Sequence, residues 1–280
     1  MKRKNVKEIF LNAITYVILV FSAFLALVPL AWILSTSIKP VQEIYTNPPR
    51  WIPQNPTIGN YANVVLDSNI PVAYWNSFLI GSGTALLALL LGGSAGYAFA
   101  RFRFRGSKFF SLFILISQML PVTVLMVPMF YMGNDLGLID TRIGLTFAHL
   151  VIAMPLVTWM SKGYFQSIPV DIEEAARVDG CGTLRTLGFI VLPLLRPALA
   201  ATGIYAFVSS WNEFALANVL TRTMASRTVP VTLSEFSTFF RVNWGDTMAA
   251  AMVITVPVVI IFMTMQKYFV SGLSSGAVKG

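Results

Sequence analysis

Four of the twelve acidic residues fall within nine positions: Asp171, Glu173, Glu174 and Asp179. They lie in Ser167-Ile168-Pro169-Val170-Asp171-Ile172-Glu173-Glu174-Ala175-Ala176-Arg177-Val178-Asp179-Gly180. Pro169 suits a first helical turn, where its missing N–H costs nothing. Asp171, Glu173 and Glu174 stand near the positive end of the helix dipole, and Gly180 can take the left-handed conformation that ends a helix. The spacing predicts a rod of roughly ten residues, about 15 Å long. Ala175 and Ala176 would leave one face nearly flat, open to the backbone approach of another protein. A solvated loop carrying the same acids and bases reads equally well, so these residues alone leave docking and solvation level. A second helical stretch is expected from about Thr183 to Leu192-Pro193.

Other reactive side chains are isolated. Glu213 is the one acid in an otherwise apolar run, and an acid in such a run is a functional candidate. It reads either as an interfacial carboxylate or, with Trp211 and Asn212, as a stacking face and an amide of the kind a sugar ring uses. Gln118, ahead of Pro121, reads as a donor to a substrate hydroxyl or as a cross-link between helices. His149, the only histidine, lacks a cluster of further metal ligands and is expected to be packed and neutral. Cys181 has no second cysteine, which excludes an intramolecular disulfide and argues against a catalytic thiol. A phosphate loop G-x-x-x-x-G-K-[ST] is missing; Gly106-Ser107-Lys108 lacks the preceding glycine and the Gly-Lys pair. No catalytic residue, metal site or cofactor is therefore assigned to this chain, and any ATP chemistry must belong to a partner.

The elements that position these residues follow from where charge is missing. Of 280 residues, 56% are hydrophobic and 11% charged, with a mean hydropathy of +0.70. A soluble domain carries about 25% charged residues, so a secreted protein, a cytosolic enzyme and a disordered chain are excluded. Uncharged runs cover 9–38, 68–100, 109–134, 143–161 and 247–266, and 197–221 is broken only by Glu213. Crossing a hydrocarbon core takes about 20 helical residues. These runs do not alternate in polarity as barrel strands do. Six transmembrane helices are expected near 10–34, 77–100, 109–132, 143–163, 198–219 and 248–270, in one domain over 1–280. The first run is too long for a signal peptide core and reads as a retained anchor.

Basic residues give the orientation. Fourteen of the twenty fall in the N-terminal tail, the loop 101–108, the loop 165–197 with its flanking Lys162, and the C-terminal tail. That face is expected to be cytoplasmic, with both termini. Arg101-Phe102-Arg103-Phe104-Arg105 could suggest nucleic acid, but between two spans it reads as a stop to translocation that touches anionic headgroups. Trp32 and Trp75 fit the outer interface. Gly81, Gly83, Gly92, Gly93 and Gly96 in the second span allow close helix approach. Pro121, Pro128, Pro155 and Pro257 are expected to bend their helices.

Glu174-Ala175-Ala176, then Gly180, Ile190 and Leu192-Pro193 at their spacing, resemble the EAA signature of ABC-importer permeases. Further stretches resemble the carbohydrate subgroup, in particular the smaller permease of maltose-type systems. They include Pro48-Pro49-Arg50-Trp51, Asn60-Tyr61, Tyr97-Ala98-Phe99-Ala100-Arg101, Leu136-Gly137-Leu138-Ile139-Asp140-Thr141, Trp211-Asn212-Glu213-Phe214 and Thr228-Val229-Pro230-Val231. Cys181-Gly182 departs from the usual Ala and small residue. The resemblance implies an all-α, six-helix type I importer permease, multi-pass in a bacterial or archaeal plasma (inner) membrane. It implies that the helix near 170–180 couples to a cytoplasmic ATPase through Glu173, Glu174, Ala175, Ala176, Arg177, Asp179 and Gly180, with Glu174 as polar anchor. It also implies a second homologous permease, two ATPase subunits using ATP and Mg, an extracytoplasmic solute-binding protein and the lipid bilayer as partners, with no nucleic acid. A di- or oligosaccharide is the expected solute; a glycerol phosphodiester, phosphate ester or polyol is the alternative. An ion-coupled carrier working alone would want paired intramembrane acids or histidines, and spans two, three and six contain none.

Overall fold

The computed structural model describes the backbone of residues 6–238 and 241–277 and the side chains of residues 8, 10–236 and 243–264. The elements are α1 (Val6–Ser37), α2 (Val41–Ile44), α3 (Gly59–Leu66), α4 (Ile70–Arg101), α5 (Ser107–Ser117), α6 (Val122–Asp135) and α7 (Arg142–Ser167). They continue as α8 (Val170–Val178), α9 (Thr183–Leu194), α10 (Arg196–Trp211), α11 (Ala215–Leu220), α12 (Val229–Ser234) and α13 (Trp244–Ala277). Between α12 and α13, Ser237–Thr238 (β1) and Arg241–Val242 (β2) form a two-residue antiparallel ladder. Among the described residues the fold is all-α apart from that ladder.

The chain divides into two compact units. One contains residues up to 68 and Glu235–Thr255. In it the end of α1 is sealed by the loop that follows. Lys39 is buried, its ammonium 4.3 Å from the Trp32 ring centroid, and donates to the Arg50 carbonyl at 2.5 Å. Burial pulls the Lys39 pKa down, and Glu43 opposes that pull. The Glu43 carboxylate accepts from the backbone N–H groups of Gln54 and Asn55 at 2.9 Å each. Those donors, Gln54 first, hold its pKa below the ordinary value. Asn60 donates to the Ser37 and Lys39 carbonyls. The apolar side of α1 stays exposed, with Phe10, Phe21, Phe24 and Leu27 all open, as a lipid-facing helix requires.

The second unit contains Asn69–Ser234 and the chain from Val256. Its core is α4, α7 and α10 packed together, with Ala88, Leu150, Ala153, Val157 and Ala206 at their meeting point. α4 passes through one wider π turn at Ala88–Gly92. Close helix approach is real at Gly92 and Gly96, which face Val157–Thr158 and Ser161–Lys162 of α7, whereas Gly93 faces open space.

Four helices are long and apolar enough to cross a membrane, and up to six if each of two bent pairs is one crossing. Spans expected at 10–34, 77–100, 143–163 and 248–270 lie within α1, α4, α7 and α13. Two of the expected spans are not single straight rods. The stretch 109–132 is not one rod: α5 and α6 meet at 100° across 118–121. Pro121 has no N–H to continue the ladder and forces the preceding residue away from helical geometry. The stretch 198–219 also breaks, at 212–214, after α10 and before α11, while α9 and α10 meet at 81°. Pro128, Pro155 and Pro257 sit inside continuous helices, so among these prolines only Pro121 marks a break.

Candidate functional site

α8 ends as its sequence suggests. Gly180 takes φ +83°, Cys181 N–H donates to the Ala176 carbonyl at 2.9 Å, and Gly180 N–H donates to the Arg177 carbonyl at 3.0 Å. This pair of bonds is the Schellman arrangement, satisfying carbonyls a helix end would leave open. Pro169 precedes the first helical residue in an extended conformation.

The helix presents two unlike faces. Glu173, only 1% exposed, and Ala176 point into the chain. Positions three apart share a helix face, so these two turn inward together. Asp171, Glu174, Ala175, Arg177, Val178, Asp179 and Gly180 are exposed. The flat Ala175–Ala176 surface expected from sequence is therefore half occupied by the chain itself, and of the paired glutamates only Glu174 faces out.

Glu173 is held from α4. The Arg101 Nε donates to Glu173 Oε1 at 2.6 Å and the Tyr97 hydroxyl donates to Glu173 Oε2 at 3.0 Å. A second nitrogen of Arg101 donates to the Ile168 carbonyl at 3.0 Å. Arg101 was expected to face headgroups; it is drawn into this pair, because a carboxylate buried without a cation would be costly. Arg103, Arg105 and Lys108 remain exposed. A cavity of 1060 Å³ lies between this turn and α8, bordered by Arg101, Arg103, Lys108, Arg177, Phe102 and Phe109.

The second candidate group lies where α10 breaks. Glu213 accepts from the backbone N–H groups of Leu216 and Ala217 at 2.8 and 2.9 Å, and its Oε2 lies 3.1 Å from His149 Nε2. The other ring nitrogen of His149 lies 2.6 Å from the Ser210 hydroxyl. The acid thus holds the first turn of α11, where a carboxylate suits the open N–H groups. His149, expected to be packed, is buried and joins α7 to this break. Trp211 is 1% exposed, stacked on Phe207 at 5.5 Å and edge-on to Tyr74 at 5.3 Å. Its ring offers no free stacking face here, in contrast to the path-lining expectation. Asn212 is exposed. Gln118 donates to the Ile152 carbonyl at 3.0 Å, the helix cross-link reading, and borders a 480 Å³ cavity.

Neither the hold of Tyr97 and Arg101 on α8 nor the His149–Glu213 contact follows from the residue pattern. Tyr97 and Arg101 lie one helical turn apart and next to a glutamate only in space. The Tyr97–Arg101 stretch was a sequence signal, but without an indicated partner.

Residues 88–275 match the family model described as the binding-protein-dependent transport system inner membrane component. The chain belongs to this family. It is similar to the diacetylchitobiose uptake system permease protein DasC of Streptomyces coelicolor, 31% identical over 280 residues and covering 100% of both chains. It is also similar to the trehalose transport system permease protein SugB of Mycobacterium tuberculosis, 35% identical with 91% of this chain and 93% of that one covered. Among solved structures, a chain of a bacterial ABC transporter involved in the import of the acidic polysaccharide alginate superposes with a TM-score of 0.81. That match has 25% identity and covers 96% of this chain and 100% of the other. The family member described here is thus a multi-pass inner membrane permease of an ABC importer, a system in which separate ATPase subunits hydrolyse ATP.

Proposed function

We propose that this permease forms half of the translocation pathway of a binding-protein-dependent importer for a di- or oligosaccharide. The support for the solute class is that DasC, SugB and the alginate transporter are all named for saccharides. The whole chain, 1–280, acts as one permease domain beside a second homologous permease. An extracytoplasmic binding protein delivers the solute, and two cytoplasmic ATPase subunits consume ATP with Mg.

The observation that carries the coupling reading is the two-faced α8, anchored inward through Glu173 and exposed through Glu174, Ala175, Arg177, Asp179 and Gly180. A rod held on one side and open on the other can seat in a groove of an ATPase subunit and carry its motion, switching the spans between two packed states. Ala175 gives close approach, Glu174 a polar anchor, and Gly180 the turn that frees the end. On the solute path, Asn212 and Gln118 supply amides, and Glu213 holds the break that presents Asn212.

The test is isolation of the chain from its native membrane with whatever accompanies it, together with the variant Glu174→Ala. ATPase subunits, a second permease and a saccharide-loaded binding protein are expected to co-purify. The variant is expected to insert normally while losing ATPase attachment or uptake. Purification without any ATPase subunit, or full uptake by Glu174→Ala, refutes the reading.

A further inference from the structure

We infer that Arg101, Glu173 and Tyr97 form a latch that passes the motion of α8 to the second crossing, α4, which makes Arg101 and Tyr97 positioning residues for energy coupling. The inference rests on the coupling reading of α8 and adds the route by which force leaves that helix.

α8 has nine residues, too few to persist as an isolated helix in water. Its covalent link to α7 is the short joint Ile168-Pro169. The Arg101 guanidinium grips the joint and the helix together, with one nitrogen on the Ile168 carbonyl and another on the Glu173 carboxylate. Tyr97, one turn earlier on α4, takes the other oxygen of the same carboxylate. The two side chains of the ion pair are 9% and 2% exposed. Charge-assisted hydrogen bonds shielded from water are strong and directional. α8 cannot shift relative to the end of α4 without breaking several of them together, so displacement of α8 displaces α4. Further along, α4 packs on α7 and α10, so the motion reaches the core of this unit. Adjacent glutamates then divide the work, Glu173 holding the permease's own crossing and Glu174 facing the motor. Lysine cannot replace Arg101 in this role, because an ammonium lacks the planar fork that reaches two acceptors in fixed directions.

The test uses the complete importer, with its second permease, ATPase subunits and binding protein, reconstituted in vesicles. ATP hydrolysis and solute uptake are measured side by side, with ATPase attachment checked separately. Glu173→Gln and Arg101→Lys are expected to keep the ATPase attached while uptake per ATP falls about tenfold, within the usual range of coupling between sites. Tyr97→Phe, which removes one donor to the Glu173 carboxylate and leaves the ion pair in place, is expected to lower that ratio by a smaller factor. Wild-type uptake per ATP in both Glu173→Gln and Arg101→Lys overturns the latch. If those two variants do not assemble, Tyr97→Phe decides. A lowered uptake per ATP with the ATPase still attached supports the latch; a wild-type ratio overturns it. Glu174→Ala in the same assay separates the two ideas. Wild-type behaviour there removes the docking reading, whereas an impaired Glu174→Ala beside wild-type Glu173→Gln and Arg101→Lys removes the latch alone.

Discussion

Asp140 stands in the left-handed region at φ 59°, a conformation that aspartate tolerates better than most residues. Its carboxylate accepts from the Arg222 and Thr223 backbone N–H groups at 2.9 and 3.0 Å and from the Thr223 and Ser226 hydroxyls at 2.7 Å each. Burial alone would raise its pKa, but these donors, Arg222 first, outweigh it and hold the carboxyl well below the usual aspartate range. The loop ahead of α7 is thereby pinned to the loop after α11. Asp140→Asn is expected to lower stability by about 1–3 kcal/mol at neutral pH, the usual cost of disturbing hydrogen bonds to a charged group. The sign of the pH effect follows from the depressed folded pKa. The stabilisation is complete above the unfolded value of about 4 and is lost as pH falls through the folded value. Thermal unfolding of both proteins in detergent across pH should show a gap that narrows in acid. A gap that stays constant down to the lowest pH would refute the charged-state account. Glu213 shows a different use of an acid: a carboxylate that the sequence leaves as either interfacial or path-lining is the cap of α11.

Among elements, the approach of α4 to α7 is set by glycine. A Cβ on Gly96 would lie 2.7 Å from the Ser161 Cβ and 2.8 Å from the Lys162 backbone nitrogen, whereas one on Gly93 would meet nothing within 4 Å. Backbone atoms cannot move aside as a flexible side-chain tip can. Gly96→Val is expected to push the two helices apart and destabilise the permease by about 1–3 kcal/mol, the usual penalty of overpacking. Gly93→Ala should be neutral or slightly stabilising, since alanine favours helix. Thermal melts of the two variants check this, and equal effects would show that the contact does not decide the packing. The broken elements follow the same local-versus-tertiary division. The α5–α6 bend has a local cause in Pro121. The break at 212–214 has no proline or glycine; it coincides with the contacts of Glu213 to His149, Leu216 and Ala217, two of them local and one 64 residues away in sequence.

For the whole molecule, sidedness rests on cations. With 14 of 20 basic residues assigned to one face, a reporter fused after Gly280 is expected to read cytoplasm, and an activity seen only outside would invert the topology. Pairing of Arg101 with Glu173 does not alter this expectation, since Arg103, Arg105 and Lys108 stay exposed in the same loop. Composition and the uncharged runs by themselves determined that the chain is a helical membrane protein, where four of its crossings lie, and where α8 begins and ends. These follow from the cost of charge in hydrocarbon and from the local chemistry of proline and glycine, which act over a few residues. The inward turn of Glu173 and Ala176, the burial of Trp211 and the meeting of His149 with Glu213 were decided only by tertiary structure. Each depends on which face of a helix meets another helix, and a pattern of residue types along one chain does not specify the partner that waits there.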